Sequence, residues 1–138
     1  MNRFLSPSPL WPTAGLTFIR LAVGFFMIYH GWEIFSEEKM NEYLRWDVFK
    51  NSQGQKILVY AGKAAELVSG LLLFVGLFTR VASMLMAGTM LYVSIFVGHG
   101  KIWYEDQHPF LFVLLALVFF FYGPGKMSVD QLLFGKRR

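Results

Sequence analysis

Apolar residues fall in four long blocks separated by polar breaks, at about 13–35, 57–78, 80–100 and 109–122. A helix that crosses a bilayer needs about 20 mostly apolar residues. Three blocks reach that length, while the fourth is closed early by Gly123-Pro124-Gly125. In hydrocarbon the backbone must satisfy its own hydrogen bonds, so only helices or a closed barrel can span. Barrel strands are shorter and alternate apolar with polar positions, and these blocks do not. The predicted fold is all-α: a four-helix transmembrane bundle, one integral membrane domain over residues 1–138.

The breaks carry helix punctuation. Pro12 suits an early helical position and Thr79 an N-cap. The loop 36–56 contains Tyr43, Leu44, Trp46, Val48 and Phe49, a pattern for an interfacial helix on the outer surface, preferred over a mobile gate. After the fourth block, Ser128 and Gln131 match a capping box. Val129, Leu132, Leu133 and Phe134 then form the apolar side of a short interfacial C-terminal helix, with Lys136, Arg137 and Arg138 at the headgroups. YHGWEIF after block one and GHGKIWY after block three echo each other, consistent with two duplicated helix pairs. MNRFLSPSPLWP lacks the signature of a cleavable signal, so the first block is read as a retained span.

Composition agrees with a membrane protein: 55% hydrophobic, 18% aromatic and only 16% charged. With no cysteine, disulfides, thiolate nucleophiles and iron–sulfur ligation by this chain are excluded. Four spans put both chain ends and the 79–80 turn on one face. That face carries Arg3, Arg80, Lys126, Lys136, Arg137 and Arg138, against five basic residues spread over the longer opposite loops. Counting basic residues predicts that both termini are cytoplasmic. The net charge of +4 suits anionic lipid headgroups rather than nucleic acid.

Against this apolar background the ionisable residues stand out. Lys63 and Glu66 lie inside the second block, roughly 9 and 13 Å below the outer surface at 1.5 Å per residue. A Lys or Asp at a span centre costs about 2.5–3.5 kcal/mol, while each large aliphatic residue returns about 0.3–0.6. Lys63 can reach outward on its long stem; Glu66 cannot, and needs a partner, a proton or a cavity. His30, Glu33, His99 and His108 fall near the same outer depth, and together with Lys63 and Glu66 they are the candidate ligand-binding residues. Glu66 is the best candidate for a catalytic role, which the sequence leaves unassigned. Taken singly, the histidines and Glu33 also fit an interfacial anchor role, and Lys63–Glu66 a simple ion pair at i, i+3. Arg20 lies in the inner half of block one and is read as structural. Gly62, Glu66 and Gly70 form an i, i+4 stripe expected to let another helix approach closely. No HExxH or Glu-x-x-His pairing occurs, so no metal is expected, and bis-His haem is the lesser reading.

RLAVGFFMIYHGWEIF (20–35), AELVSGLLLFVGLFTRVASMLMAGTMLYV (65–93) and YGPGKMSVDQLLF (122–134) together resemble the DoxX family of small four-span membrane proteins. The resemblance implies a four-helix membrane fold and a loose link to quinone-connected redox. Relatives include a subunit of thiosulfate:quinone oxidoreductase, and more distant ones assist receptor assembly. Many members read His-Gly-x-x-Lys where this chain reads His30-Gly31-Trp32-Glu33-Ile34. The basic residue is absent and a carboxylate stands beside its place.

The leading expectation is a membrane subunit of a redox complex whose outer-half polar pocket binds a quinone or another small polar-headed lipid. Any enzyme activity would be that of a quinone-linked oxidoreductase subunit dependent on a partner protein. A non-enzymatic assembly or scaffold protein, and a small proton-coupled transporter acting as a homo-oligomer, remain open alternatives.

Overall fold

The computed structural model describes residues 6–50 and 52–135. Arg3 and the basic Lys136, Arg137 and Arg138 lie outside the described residues. Helix α1 (Pro12–Gly31) opens with proline at its first turn and continues as a 3-10 turn over Trp32–Phe35. Its buried face is Thr17, Arg20, Val23, Gly24, Met27 and Gly31, spaced three or four apart, while Phe18, Phe25, Phe26 and Tyr29 point outward. Such a helix hides its small and polar residues and exposes its large apolar ones, as a lipid-facing surface requires.

The 36–56 segment is folded into α2 (Glu37–Leu44) and α3 (Asp47–Lys50). Ser36 caps α2 by accepting a hydrogen bond from the Lys39 N–H at 3.4 Å. Met40 and Phe49 bury against Val59, with Tyr43, Leu44, Tyr60 and Val97 around them. That small cluster pins the segment across one end of the bundle.

Helix α4 (Gln55–Val75) ends at Gly76, which is left-handed (φ 71°), a conformation that costs glycine nothing. The Leu77 N–H returns to the Leu72 carbonyl at 2.9 Å, closing the helix end. Helix α5 (Thr79–Tyr92) runs back and finishes in a π-helical turn over Val93–Val97. Helix α6 (Gln107–Tyr122) has 16 residues, so it spans only about 24 Å. A short α7 (Val129–Phe134) comes last, capped as predicted: the Ser128 hydroxyl accepts from the Gln131 N–H at 3.2 Å.

Three helices are therefore long and apolar enough to cross a membrane, Pro12–Phe35, Gln55–Val75 and Thr79–Val97, with α6 a shorter fourth. They form the predicted helical bundle. α1 packs along α4 and α5 along α6; α4 meets α5 between the pairs, and α1 touches α6 sparsely. The core is Val23, Met27, Leu73, Ala82, Met86, Met90, Phe112, Val113, Ala116 and Phe119.

Glycines set the α1–α4 spacing. A Cβ on Gly24 would come 2.7 Å from the Phe74 N, one on Gly70 2.6 Å from the Ile28 N, and one on Gly31 would overlap the Leu67 backbone. Gly62 departs from the expected close-packing stripe: a Cβ there would meet nothing within 4 Å. The stripe divides in two, Gly70 against α1 and Gly62 against open space.

The bundle has a loop end, carrying residues 32–56 and 98–108, and a terminal end, carrying Gly76–Phe78 and residues 123–135. At the terminal end Arg20 is 2% exposed. Its Nη1 donates to the Leu73 carbonyl at 3.0 Å and its Nη2 to the Met127 carbonyl at 2.6 Å. A Cβ on Gly76 would overlap its guanidinium. Asp130 accepts from the Phe78 N–H (2.6 Å) and the Thr79 N–H (2.8 Å), supplying the cap of α5 from the far end of the chain. The expected Thr79 N-cap is thus replaced by a carboxylate fifty-one residues later, a stronger acceptor at a helix N-terminus.

Candidate functional site

At the loop end the helices enclose a cavity of about 220 Å³. Its deepest walls are apolar: Met27 from α1, Val59 from α4, Met90 from α5, Phe112 from α6 and Phe49 from α3. The polar groups collect on the α1 and α4 side as Lys63, Glu66 and His30, joined by His108 from the first turn of α6. Tyr43 and Trp46 from the folded 36–56 segment cover it.

The centre of the polar wall is Lys63. Its Nζ donates to Glu33 Oε2 at 2.8 Å, to Glu66 Oε2 at 3.0 Å and to the His30 carbonyl at 3.3 Å. The ammonium, whose side chain is 12% exposed, thus uses all three of its donors. Lys63 does reach toward the loop end on its stem, as expected, and it meets Glu33 there. A basic group thus stands beside the end of α1, contributed by α4. One ammonium between two carboxylates leaves the cluster one negative charge in excess when both acids are ionised.

Tyr43 closes the cluster from above. Its hydroxyl donates to Glu33 Oε2 at 2.5 Å, and the Lys63 Nζ lies 4.7 Å from the centre of its ring. Burial, and then the hydrogen bond to the Glu33 carboxylate, push the Tyr43 phenol up to about 12. It stays protonated and a donor at every ordinary pH. Sequence reading placed Tyr43, Trp46 and Phe49 only in an amphipathic segment. Their alternation with charged neighbours was the signal, but not which span end they cover.

Of the six residues singled out by depth, the structure brings five together: His30, Glu33, Lys63, Glu66 and His108. The imidazoles of His30 and His108 meet edge to face at 6.0 Å, bridging the sparse α1–α6 seam, and His108 packs against Phe112 at 5.3 Å. His99 is the exception. Its side chain is 76% exposed, and its Nδ1 lies 3.6 Å from Glu105 at the surface. The cause is local: the π-helical turn ends at Val97, and the extended backbone of Gly98 (φ −78°, ψ −165°) takes His99 out of the helix into the surface loop. Asp106, buried and unremarked by sequence reading, then holds the His99 and Lys101 N–H groups at 2.9 Å each. The two His-Gly echoes therefore end differently, one imidazole at the cavity and one in the surface loop.

Among the described residues no three His, Asp or Glu side chains converge where a metal ion could sit. Chemically, the wall offers two imidazoles that can donate or accept, and a carboxylate, Glu66, buried to 6% and tied through one of its oxygens. Such a wall can orient a polar headgroup and pass a proton to it; the apolar remainder can hold little beyond hydrocarbon or aromatic surface.

Comparison with known proteins agrees with the motifs at 20–35 and 65–93. The family model for DoxX matches residues 15–100, which include all but the first three residues of α1, the whole of α4 and α5, and most of the cavity wall. An uncharacterized protein of Haemophilus influenzae is 30% identical over 128 residues, covering 88% of this chain and 92% of that one. No solved structure matches the chain. The chain belongs to the DoxX family of multi-pass membrane proteins.

Proposed function

We propose that the loop-end cavity holds the headgroup of a quinone or a similar small polar-headed lipid, and that the chain serves a membrane redox complex as its binding subunit. One observation carries this reading. An apolar cavity between four helices has its polar groups gathered on one side, next to two imidazoles and a deeply buried carboxylate. Pockets for lipophilic ligands combine apolar walls with a few placed polar groups in this way.

The residues fit such a headgroup. The Lys63 donors are committed to Glu33, Glu66 and the His30 carbonyl, so on the polar wall itself His30 and His108 are the side chains left to donate to a ring oxygen. Glu66, with one oxygen tied to Lys63, keeps a second that can take or release a proton. The bound quinone would supply the redox chemistry; the chain's own groups orient it, exclude water and move the proton. Without cysteine the chain would draw electrons from a partner protein. In this reading it lies in a bacterial inner membrane with both termini cytoplasmic, as the basic residues near the termini favour.

The test is mass spectrometry of small molecules retained after mild extraction. A quinone-class molecule is expected with the wild type, and its loss with His30→Ala or His108→Ala. Glu66→Gln is expected to retain the ligand but slow partner-dependent quinone reduction. An extract with a stoichiometric protein partner and no small molecule would instead favour an assembly role.

A further inference from the structure

The cavity has a gap that the polar wall does not explain. Gly62 lines it one turn from Glu66, and a side chain there would meet nothing within 4 Å. Elsewhere on the α1–α4 face, glycine is present because a neighbouring backbone leaves no room. At Gly62 that reason fails, and the missing side chain is instead part of the cavity's volume.

The gap lies on the α4–α5 side. Leu58, one turn before Gly62, is 41% exposed, and Tyr92 across the seam on α5 is 39% exposed, while both line the cavity. Thr89, one turn before Tyr92 on α5, also lines the cavity and ties its hydroxyl back to the Leu85 carbonyl at 2.9 Å, so that donor is spent within its own helix. On the opposite side the cavity is bridged by the His30–His108 contact. Gly62 sits seven residues into α4, about 10 Å below its start, at hydrocarbon depth rather than in the headgroup layer. An opening here faces acyl chains.

We infer that the α4–α5 seam at Gly62 is the exit for an apolar tail, so that the site selects ligands that carry a chain as well as a polar ring. The inference rests on the headgroup reading and adds what lies beyond the headgroup. The ring sits against His30, His108 and Glu66; the chain leaves past Gly62, between Leu58 and Tyr92, into the bilayer. Gly62 and Thr89 set the bore of that exit, while the polar wall sets the ring.

The test uses the full chain in nanodiscs and two probes with the same ring, decylubiquinone and the tailless 2,3-dimethoxy-5-methyl-benzoquinone, with binding read by quenching of intrinsic tryptophan fluorescence. Gly62→Phe is expected to weaken decylubiquinone at least about tenfold and to leave the tailless probe within about twofold. Gly62→Ala should give a smaller loss in the same direction. Thr89→Phe fills the seam from the other helix and should reproduce the discrimination should Gly62→Phe fail to fold. Equal weakening of both probes, or of neither, overturns the tail exit and leaves the headgroup reading standing. A wild type that binds neither probe overturns both.

Discussion

Lys63 Nζ sits 2.8 Å from Glu33 Oε2, joining the middle of one spanning helix to the end of another thirty residues away. The ion pair at i, i+3 with Glu66 is thus only half of its chemistry. Lys63 is the shared cation of two acids on different helices, so its removal should act on packing as well as charge.

Lys63→Met leaves Glu33 and Glu66 without their ammonium. Breaking a buried pair from one side costs on the order of 3 kcal/mol, because a charge is left uncompensated. The variant is expected to melt earlier in detergent, followed by circular dichroism. The double variant Glu33→Gln/Lys63→Met should recover part of the loss; a double variant whose loss equals the sum of the two single losses would show that the two residues are not coupled.

The glycines should separate cleanly. Gly31→Ala and Gly70→Ala place a methyl group against the backbone of the facing helix and should cost about 1–3 kcal/mol through overpacking. Gly88→Ala, where a Cβ meets nothing within 4 Å, should be neutral or stabilising by up to about 1 kcal/mol from helix propensity. Thermal unfolding of the three variants side by side checks the order.

Arg20→Lys should not behave as a conservative change. A guanidinium fork reaches the Leu73 and Met127 carbonyls at once, and an ammonium on a flexible stem does not reproduce that geometry. Loss of one such charged hydrogen bond costs about 1.5–3 kcal/mol. Faster hydrogen exchange over residues 124–130, with exchange in α2 unchanged, is the expected signature.

The Tyr43 phenol gives a pH prediction with a definite sign. The neutral form is favoured by the fold, with its titration raised from 10.0 to about 12. The stability it contributes is present below pH 10 and is lost as pH rises from about 10 to about 12, where the unfolded chain ionises first. Tyr43→Phe should lower the melting temperature at about pH 8 and flatten the wild-type decline across that alkaline window. Identical pH slopes for the two proteins would remove Tyr43 from the cluster.

Helix positions were readable because lipid imposes a length and an apolar run; α1, α4 and α5, with their 3-10 and π-helical extensions, obey both, and α6 keeps the apolar run at a shorter length. Glu66 was readable by depth, since a short acid that deep must be met by something. His99 was not: its depth was right, but the helix ends just before it at Gly98, and where a helix lets go within an apolar run leaves no mark in a hydropathy pattern. Arg20 and Asp130 were opaque for another reason. Their partners are backbone carbonyl and N–H groups at helix ends, which every residue carries and no side-chain pattern reveals. Gly62 and Gly70 look alike in sequence and differ only in what faces them.

The Arg20 contacts also set a timetable for biogenesis. Arg20 belongs to α1, whereas the Met127 carbonyl it holds arrives 107 residues later. At about 5–20 residues per second, the guanidinium waits roughly 5–20 s before its second acceptor exists. During that interval the guanidinium has at most the Leu73 carbonyl, so its charge is only half-satisfied until the segment around Met127 is synthesised. The same late segment brings Asp130 to the start of α5, so a chain stopped before residue 127 would lack both fastenings together.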